Sequence, residues 1–260
     1  MNLILLDPEE ICDGQAMLTE RRAEHIRRVI RPAPGQTLRV GVVRGARGTA
    51  RVVACADEGV RLAVTLQGAP VARPPTDLVL AVPRPKVLRR VLRVVGAMGV
   101  GRLELVNAWR VEKSFFQSAA LSPEALEAEL RRGAEQGASP WVPEHAVHPR
   151  LMPYLDEALP RRAPAETRVL AHPGAADGLE AVVPPGETAP LCLAVGPEGG
   201  WIPREVDTFV ARGFRPARLG DAVLDVAAAV AALLGQVGLL RRLDVPSSPA
   251  NPCLTPESAT

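Results

Sequence analysis

The chain has 260 residues, 47% of them hydrophobic and 23% charged, enough for two modest domains with their own cores and too apolar for a mostly disordered protein. A formal net charge of +2 does not by itself announce a nucleic-acid binder, so any claim about RNA has to rest on where the charges lie. No apolar run approaches the roughly 20 residues of a membrane span, and Cys12, Cys55, Cys192 and Cys253 show neither metal-ligand spacing nor the density of a disulfide scaffold.

The opening Met1-Asn2-Leu3-Ile4-Leu5-Leu6-Asp7 lacks the basic lead and long apolar centre of a secretory signal, so reduced thiols and a cytoplasmic location are expected. A helix opens near Leu18-Thr19-Glu20, with Ala23, Ile26, Val29 and Ile30 close to one face. Short strands are expected over Gln36 to Val43, Gly48 to Ala54 and Val60 to Leu66, with Arg44-Gly45-Ala46-Arg47-Gly48 as a hairpin turn carrying two guanidinium groups. Residues 1–72 thus form a small β-rich domain. Pro70-Val71-Ala72-Arg73-Pro74-Pro75 is stiff, extended and aperiodic, which makes it the linker.

From residue 73 the pattern alternates. Strands are expected at Asp77 to Val82, Arg102 to Val106, Arg168 to His172, Leu191 to Val195 and Pro216 to Leu219. Helices are expected at Pro85 to Met98, Pro123 to Gln136, Pro203 to Arg212 and Ala222 to Arg242. Such alternation predicts an α/β domain, 73–243, with a parallel sheet covered by helices. The stretch 244–260, rich in Pro, Ser and Asn and without apolar periodicity, is expected to be a disordered tail.

The residues that suggest chemistry stand at strand ends. The run Leu191 to Val195 empties into Gly196-Pro197-Glu198-Gly199-Gly200, whose glycines let peptide groups approach a ligand closely. A bare turn is the bland alternative. Ala217-Arg218-Leu219-Gly220 and Val169-Leu170-Ala171-His172-Pro173-Gly174 end two further strands, and ligands of open α/β sheets bind outside the carboxyl ends of strands. Glu198 either accepts hydrogen bonds from neighbouring amides or contacts a ligand. Trp201 is expected to pack against the domain. In the helix after Pro85, Lys86, Arg89, Arg90 and Arg93 fall near one face and join Arg84; an RNA-binding face and a plain solvated face are both open. His145 and His148 lie in proline-rich surroundings and read as a surface loop rather than a metal site. The chain has no Gly-x-Gly-x-x-Gly, which counts against an ordinary doubly wound nucleotide-binding enzyme.

Together the Gly196 to Gly200 loop, Leu219-Gly220 before an apolar C-terminal helix, the Leu-Ala-His-Pro strand end and the β-rich start resemble the ribosomal RNA small subunit methyltransferase E family. The resemblance implies a SPOUT α/β trefoil-knot domain behind a small PUA-like β-barrel. It also implies S-adenosylmethionine as cofactor, N3-methylation of a uridine in 16S rRNA of the small ribosomal subunit, and a homodimer without metal or membrane. It places the cofactor against His172, Gly196, Pro197, Glu198, Gly199, Gly200, Leu219, Gly220 and Leu224. RNA is expected on Arg84, Lys86, Arg89, Arg90 and Arg93, and no catalytic base is assigned. The family keeps an Arg after Leu-Gly and then an Arg-x-Glu-Thr-like run; here Ala222, Asp225, Ala227 and Ala228 stand at those positions. Similarly, Glu135-Gln136 matches part of a family signature whose following basic residue is missing. The resemblance therefore leaves a second reading open: a catalytically inactive or repurposed relative that binds RNA or S-adenosylmethionine.

Overall fold

The computed structural model describes residues 2–33, 35–161 and 167–243; the expected disordered tail, 244–260, lies outside them. Two six-stranded sheets divide the chain, one built between Ile4 and Gln67 and the other between Thr76 and Ala217.

The first sheet has the order β1 (Ile4–Leu6), β4 (Thr37–Val42), β5 (Arg47–Ala56), β6 (Gly59–Gln67), β3 (Gln15–Leu18), β2 (Ile11–Cys12). It curls into a half-barrel with β1 and β2 at its ends. The hairpin at Arg44 forms as expected, and Arg44 takes a φ of 54° there. Strands β1, β2 and β3 are additions to the expected pattern: at two to four residues each they are too short to show a period. Helix α1 (Glu20–His25) continues as a wider turn over Ile26–Ile30.

Strand β1 serves two cores. Successive side chains of a strand point to opposite faces; Ile4 and Leu6 pack into the first sheet's core, while Leu3 and Leu5 belong to the core of the second. Polar contacts reinforce the junction. The Arg131 guanidinium donates to both Asp7 oxygens at 2.5 and 3.0 Å, Arg21 meets the buried Glu135 at 2.8 Å, and the N–H groups of Asn2 and Leu3 reach the Glu135 carbonyl. Glu135 thus works at the domain junction.

The second sheet is parallel throughout, in the order β12 (Phe214–Ala217), β10 (Thr167–Ala171), β11 (Leu191–Val195), β7 (Thr76–Ala81), β8 (Arg102–Val106), β9 (Glu144–His148). Every residue of β7 and β11 is buried, as expected for central strands covered on both faces. Helices α2 (Pro85–Met98) and α3 (Pro123–Gln136) match their expected bounds, each with proline in the first turn, and the Ser122 hydroxyl caps α3 by accepting the Ala125 N–H at 3.2 Å. They approach closely because Gly96, Gly133 and Gly137 lack a Cβ; one added there would collide with the carbonyls of Leu130, Arg93 and Ala97 respectively. Short helices α4 (Leu151–Pro153) and α5 (Leu179–Val182) follow, then α6 (Pro203–Val210) and α7 (Val226–Leu240). A parallel α/β domain behind a curled sheet is the order of domains that the family resemblance implies.

Three expectations need correction. The last helix starts at Val226, not Ala222, because the Asp225 carboxylate accepts the Ala228 N–H at 2.8 Å and caps it; 221–225 are loop. The strand expected at Pro216 to Leu219 runs Phe214–Ala217, which frees Leu219 and Gly220 for the loop beyond. His145 and His148 are not in a surface loop but on β9, an edge strand whose residues are all half-buried. There His148 Nε2 contacts the buried Glu104 carboxylate on β8. Among the described residues no helix is long and apolar enough to cross a membrane, and no three His, Cys, Asp or Glu side chains cluster as a metal site.

Candidate active site

Because the second sheet is parallel, all its carboxyl ends lie along one edge, and the loops that follow β10, β11 and β12 meet there with the start of α7. They enclose a cavity of about 630 Å³, within the size range of small-molecule sites. All nine residues expected at the cofactor line it: His172 after β10; Gly196, Pro197, Glu198, Gly199 and Gly200 after β11; Leu219 and Gly220 after β12; and Leu224 before α7. The walls are tied to α7 and to one another. Gln236 on α7 donates to the Leu219 carbonyl at 2.8 Å, and Arg218 donates to the carbonyls of Ala175 and Ala176.

The glycines divide by task. A Cβ on Gly196 would meet the Trp201 indole at 3.2 Å, and one on Gly199 would meet Arg110 Cδ at 3.0 Å, so at both positions the missing side chain makes room for the chain's own residues at the cavity wall. Gly200 and Gly220 instead adopt φ of 69° and 149° with open space before them, conformations that disfavour side chains. Trp201 is buried and packs on Phe209, ring centroids 4.8 Å apart. Its Nε1–H is buried and has no hydrogen-bond partner among the described residues.

Glu198 does not bond to its neighbouring amides. It reaches across to α2, where its Oε1 accepts the backbone N–H of Arg84 at 3.0 Å; a carboxylate at a helix N-terminus is favourably placed in the helix dipole.

Among the described residues, the one charged lining residue outside every expected motif is a cation. Arg110, in the loop after β8, projects a guanidinium that donates to the Gly199 carbonyl. No local motif marks it; only the parallel order, which puts the end of β8 on the same edge as the end of β11, would have pointed there. Asp225 and Ala222 also line the cavity, and Asp225 Oδ2 lies 3.8 Å from Arg90 Nη2.

The basic face of α2 forms as expected. Lys86, Arg89, Arg90 and Arg93 are exposed and border a shallow hollow of about 450 Å³ together with Val94 and Ala97. They are not equally free. Arg93 donates to Glu129 on α3 at 2.6 Å, whereas Lys86 and Arg89 make no ion pair with the described residues. Burial would raise the Glu129 carboxyl, but the hydrogen bond from Arg93 and the positive field of Arg132, Arg93 and Arg89 hold it below its ordinary value.

The chain is similar to known proteins in sequence and in fold. The RNA methyltransferase domain family matches residues 71–238. Ribosomal RNA small subunit methyltransferase E of Treponema pallidum is 30% identical over 230 residues, 86% of this chain and 85% of its own. The Synechocystis protein of the same name is 24% identical over 91% of this chain and 77% of its own. The crystal structure of a ribosomal RNA small subunit methyltransferase E from Neisseria gonorrhoeae bound to S-adenosyl methionine superposes with a TM-score of 0.77. It is 20% identical, over 92% of this chain and 98% of that one. Cavity, chain order and relatives agree: this chain belongs to the ribosomal RNA small subunit methyltransferase E family.

Proposed function

We propose that the chain transfers a methyl group from S-adenosylmethionine to N3 of a uridine in 16S rRNA of the small ribosomal subunit, in the cytoplasm. The observation that carries this reading is the convergence of three strand ends and the start of α7 on one cavity in a member of this family. Its size and the open space before the Gly200 and Gly220 peptides suit a nucleoside-bearing ligand. His172, the Gly196 to Gly200 loop, Leu219, Gly220 and Leu224 would hold it.

When bound, S-adenosylmethionine supplies an electrophilic methyl group. The chain's own part is to seat the uracil and stabilise it as the N3 proton leaves. Arg110 is the one arginine lining the cavity among the described residues, suited to stabilising negative charge on the ring. The Asp225 carboxylate would repel an anionic uracil; its Oδ1 is already engaged by the Ala228 N–H, so it serves the helix start. Lys86, Arg89, Arg90 and Arg93, with Arg84 at the helix cap, would carry RNA phosphates, each lost contact lowering the salt slope of binding by roughly one. Residues 1–72 would add a second RNA-holding domain to the catalytic domain 73–243. A homodimer is part of the proposal: Met98 on α2 and Leu239 on α7, two helices packed together, are 43% and 51% exposed, apolar surface a second copy would cover.

The inactive-relative reading draws on Ala222 and Asp225, which bring no cation to the cavity. One experiment separates the two: incubation with methyl-labelled S-adenosylmethionine and unmodified small ribosomal subunits, followed by nucleoside analysis. Label on uridine N3 supports transfer. Cofactor binding without label favours the inactive relative.

A further inference from the structure

Trp109 is 79% exposed, while Trp141 and Trp201 are 8% and 5% exposed. Its backbone is nevertheless held firmly. The Trp109 N–H donates to Glu205 Oε1 at 2.8 Å, and the other oxygen of that buried carboxylate accepts the Ile202 N–H at 3.0 Å at the start of α6. The next residue, Arg110, lines the cavity and grips the Gly199 carbonyl. An indole therefore stands in water on a fixed base, one residue from the wall of the methyl-donor cavity.

A single exposed apolar side chain needs no function. Trp109 differs because a buried carboxylate fixes its backbone and because the cavity beside its neighbour Arg110 is itself lined by two exposed apolar side chains, Val223 and Leu224, 82% and 39% exposed on the loop before α7. A flat aromatic face beside a guanidinium is what an unstacked RNA base binds, by stacking that tolerates any base identity. We propose that Trp109 is a positioning residue on which a base of the RNA substrate stacks, either the methylated uracil or its immediate neighbour. The proposal rests on the RNA methyltransferase reading above and adds the residue that presents the base to the cavity.

The test uses the full chain as wild type, Trp109→Phe and Trp109→Ala. The probes are a single-stranded uridine-containing RNA oligonucleotide and small ribosomal subunits. Titrating the oligonucleotide into wild type should quench the long-wavelength, solvent-exposed tryptophan emission, since the other two tryptophans are buried. Trp109→Ala should weaken RNA binding and raise KM for subunits by about 10- to 100-fold, while Trp109→Phe, which keeps a stacking face, retains most of the affinity. Binding of S-adenosylmethionine should be the same in all three. Absence of quenching in wild type, or equal RNA affinity in Trp109→Ala, overturns the proposal. So does a Trp109→Ala chain that sediments as a smaller species, which would make Trp109 a contact between copies. RNA binding is read without turnover, so wild type that binds and quenches but transfers no methyl counts against the methyl-transfer reading alone. Transfer by the Trp109→Ala chain with the KM and rate of wild type counts against stacking alone.

Discussion

Glu198 and Arg84 are 114 residues apart, and the carboxylate of the first accepts the backbone N–H of the second at 3.0 Å. That bond ties the glycine loop to the N-terminus of the basic helix. Glu198→Ala should release the loop and weaken S-adenosylmethionine binding about fivefold, the equivalent of roughly 1 kcal/mol for one hydrogen bond. Glu198→Gln keeps an acceptor and should stay within about twofold. Calorimetric titration of both variants measures the difference.

Asp225 caps α7 through the Ala228 N–H and sits 3.8 Å from Arg90, both side chains being well exposed. The cap outweighs the ion pair: losing an N-cap costs about 1 kcal/mol, and an exposed pair contributes about 0 to 1 kcal/mol. Asp225→Ala should therefore lower stability in denaturant titrations by about 1 kcal/mol, and Asp225→Asn, which still caps, by clearly less. Equal losses would assign the effect to Arg90.

The same geometry separates two ways of restoring positive charge. Asp225→Arg adds a cation but removes the cap, whereas Ala222→Arg adds one to the cavity wall and leaves α7 intact. Ala222→Arg should raise the rate of methyl transfer to ribosomal subunits if cationic stabilisation limits it. An unchanged rate would show that Arg110 already suffices.

Leu5 is 1% exposed and packs in the core of the second domain although it lies near the start of the chain. Leu5→Ala should cost about 2–5 kcal/mol, measured by denaturant unfolding. A loss well below 1 kcal/mol would mean that β1 does not join the two cores.

Acid should loosen the first domain. Burial alone would raise the Glu10 carboxyl, but hydrogen bonds from the Arg22 guanidinium and the Asp7 N–H, with the charge of Arg22, hold it below the usual 4.5. The unfolded chain then binds more protons, so this contribution is complete above about pH 4.5 and disappears as pH falls through the lowered folded value. Glu10→Gln should flatten the melting-temperature profile in that acid range; an unaltered profile would exclude the pair.

Much of this architecture is legible in the residues because local physics agrees with the tertiary fold. Pro85 and Pro123 open α2 and α3 where expected, and the apolar run Leu191–Val195 is a central strand. What failed to show depended on distant partners. Glu144–His148 is polar and half-buried, so neither period marks it, and it becomes a strand by pairing with β8. Ala222, Val223 and Leu224 continue the apolar composition of α7 without a break, and only the cap at Asp225 excludes them. Eight of the nine cofactor candidates stand at glycine-bearing strand ends and Leu224 follows from the family resemblance, but Arg110 gains its place solely from strand order. The knot came from family resemblance, since no periodicity encodes threading.

Titration of S-adenosylmethionine into the full chain, with Gly199→Val beside wild type, tests the central claim most directly. A branched side chain at 199 must displace Arg110, whose Cδ would lie 3.0 Å from the new Cβ, and crowd the cavity. The account predicts saturable one-to-one binding to wild type and its loss in a folded Gly199→Val chain. No binding to wild type, or equal affinity in the variant, would contradict it.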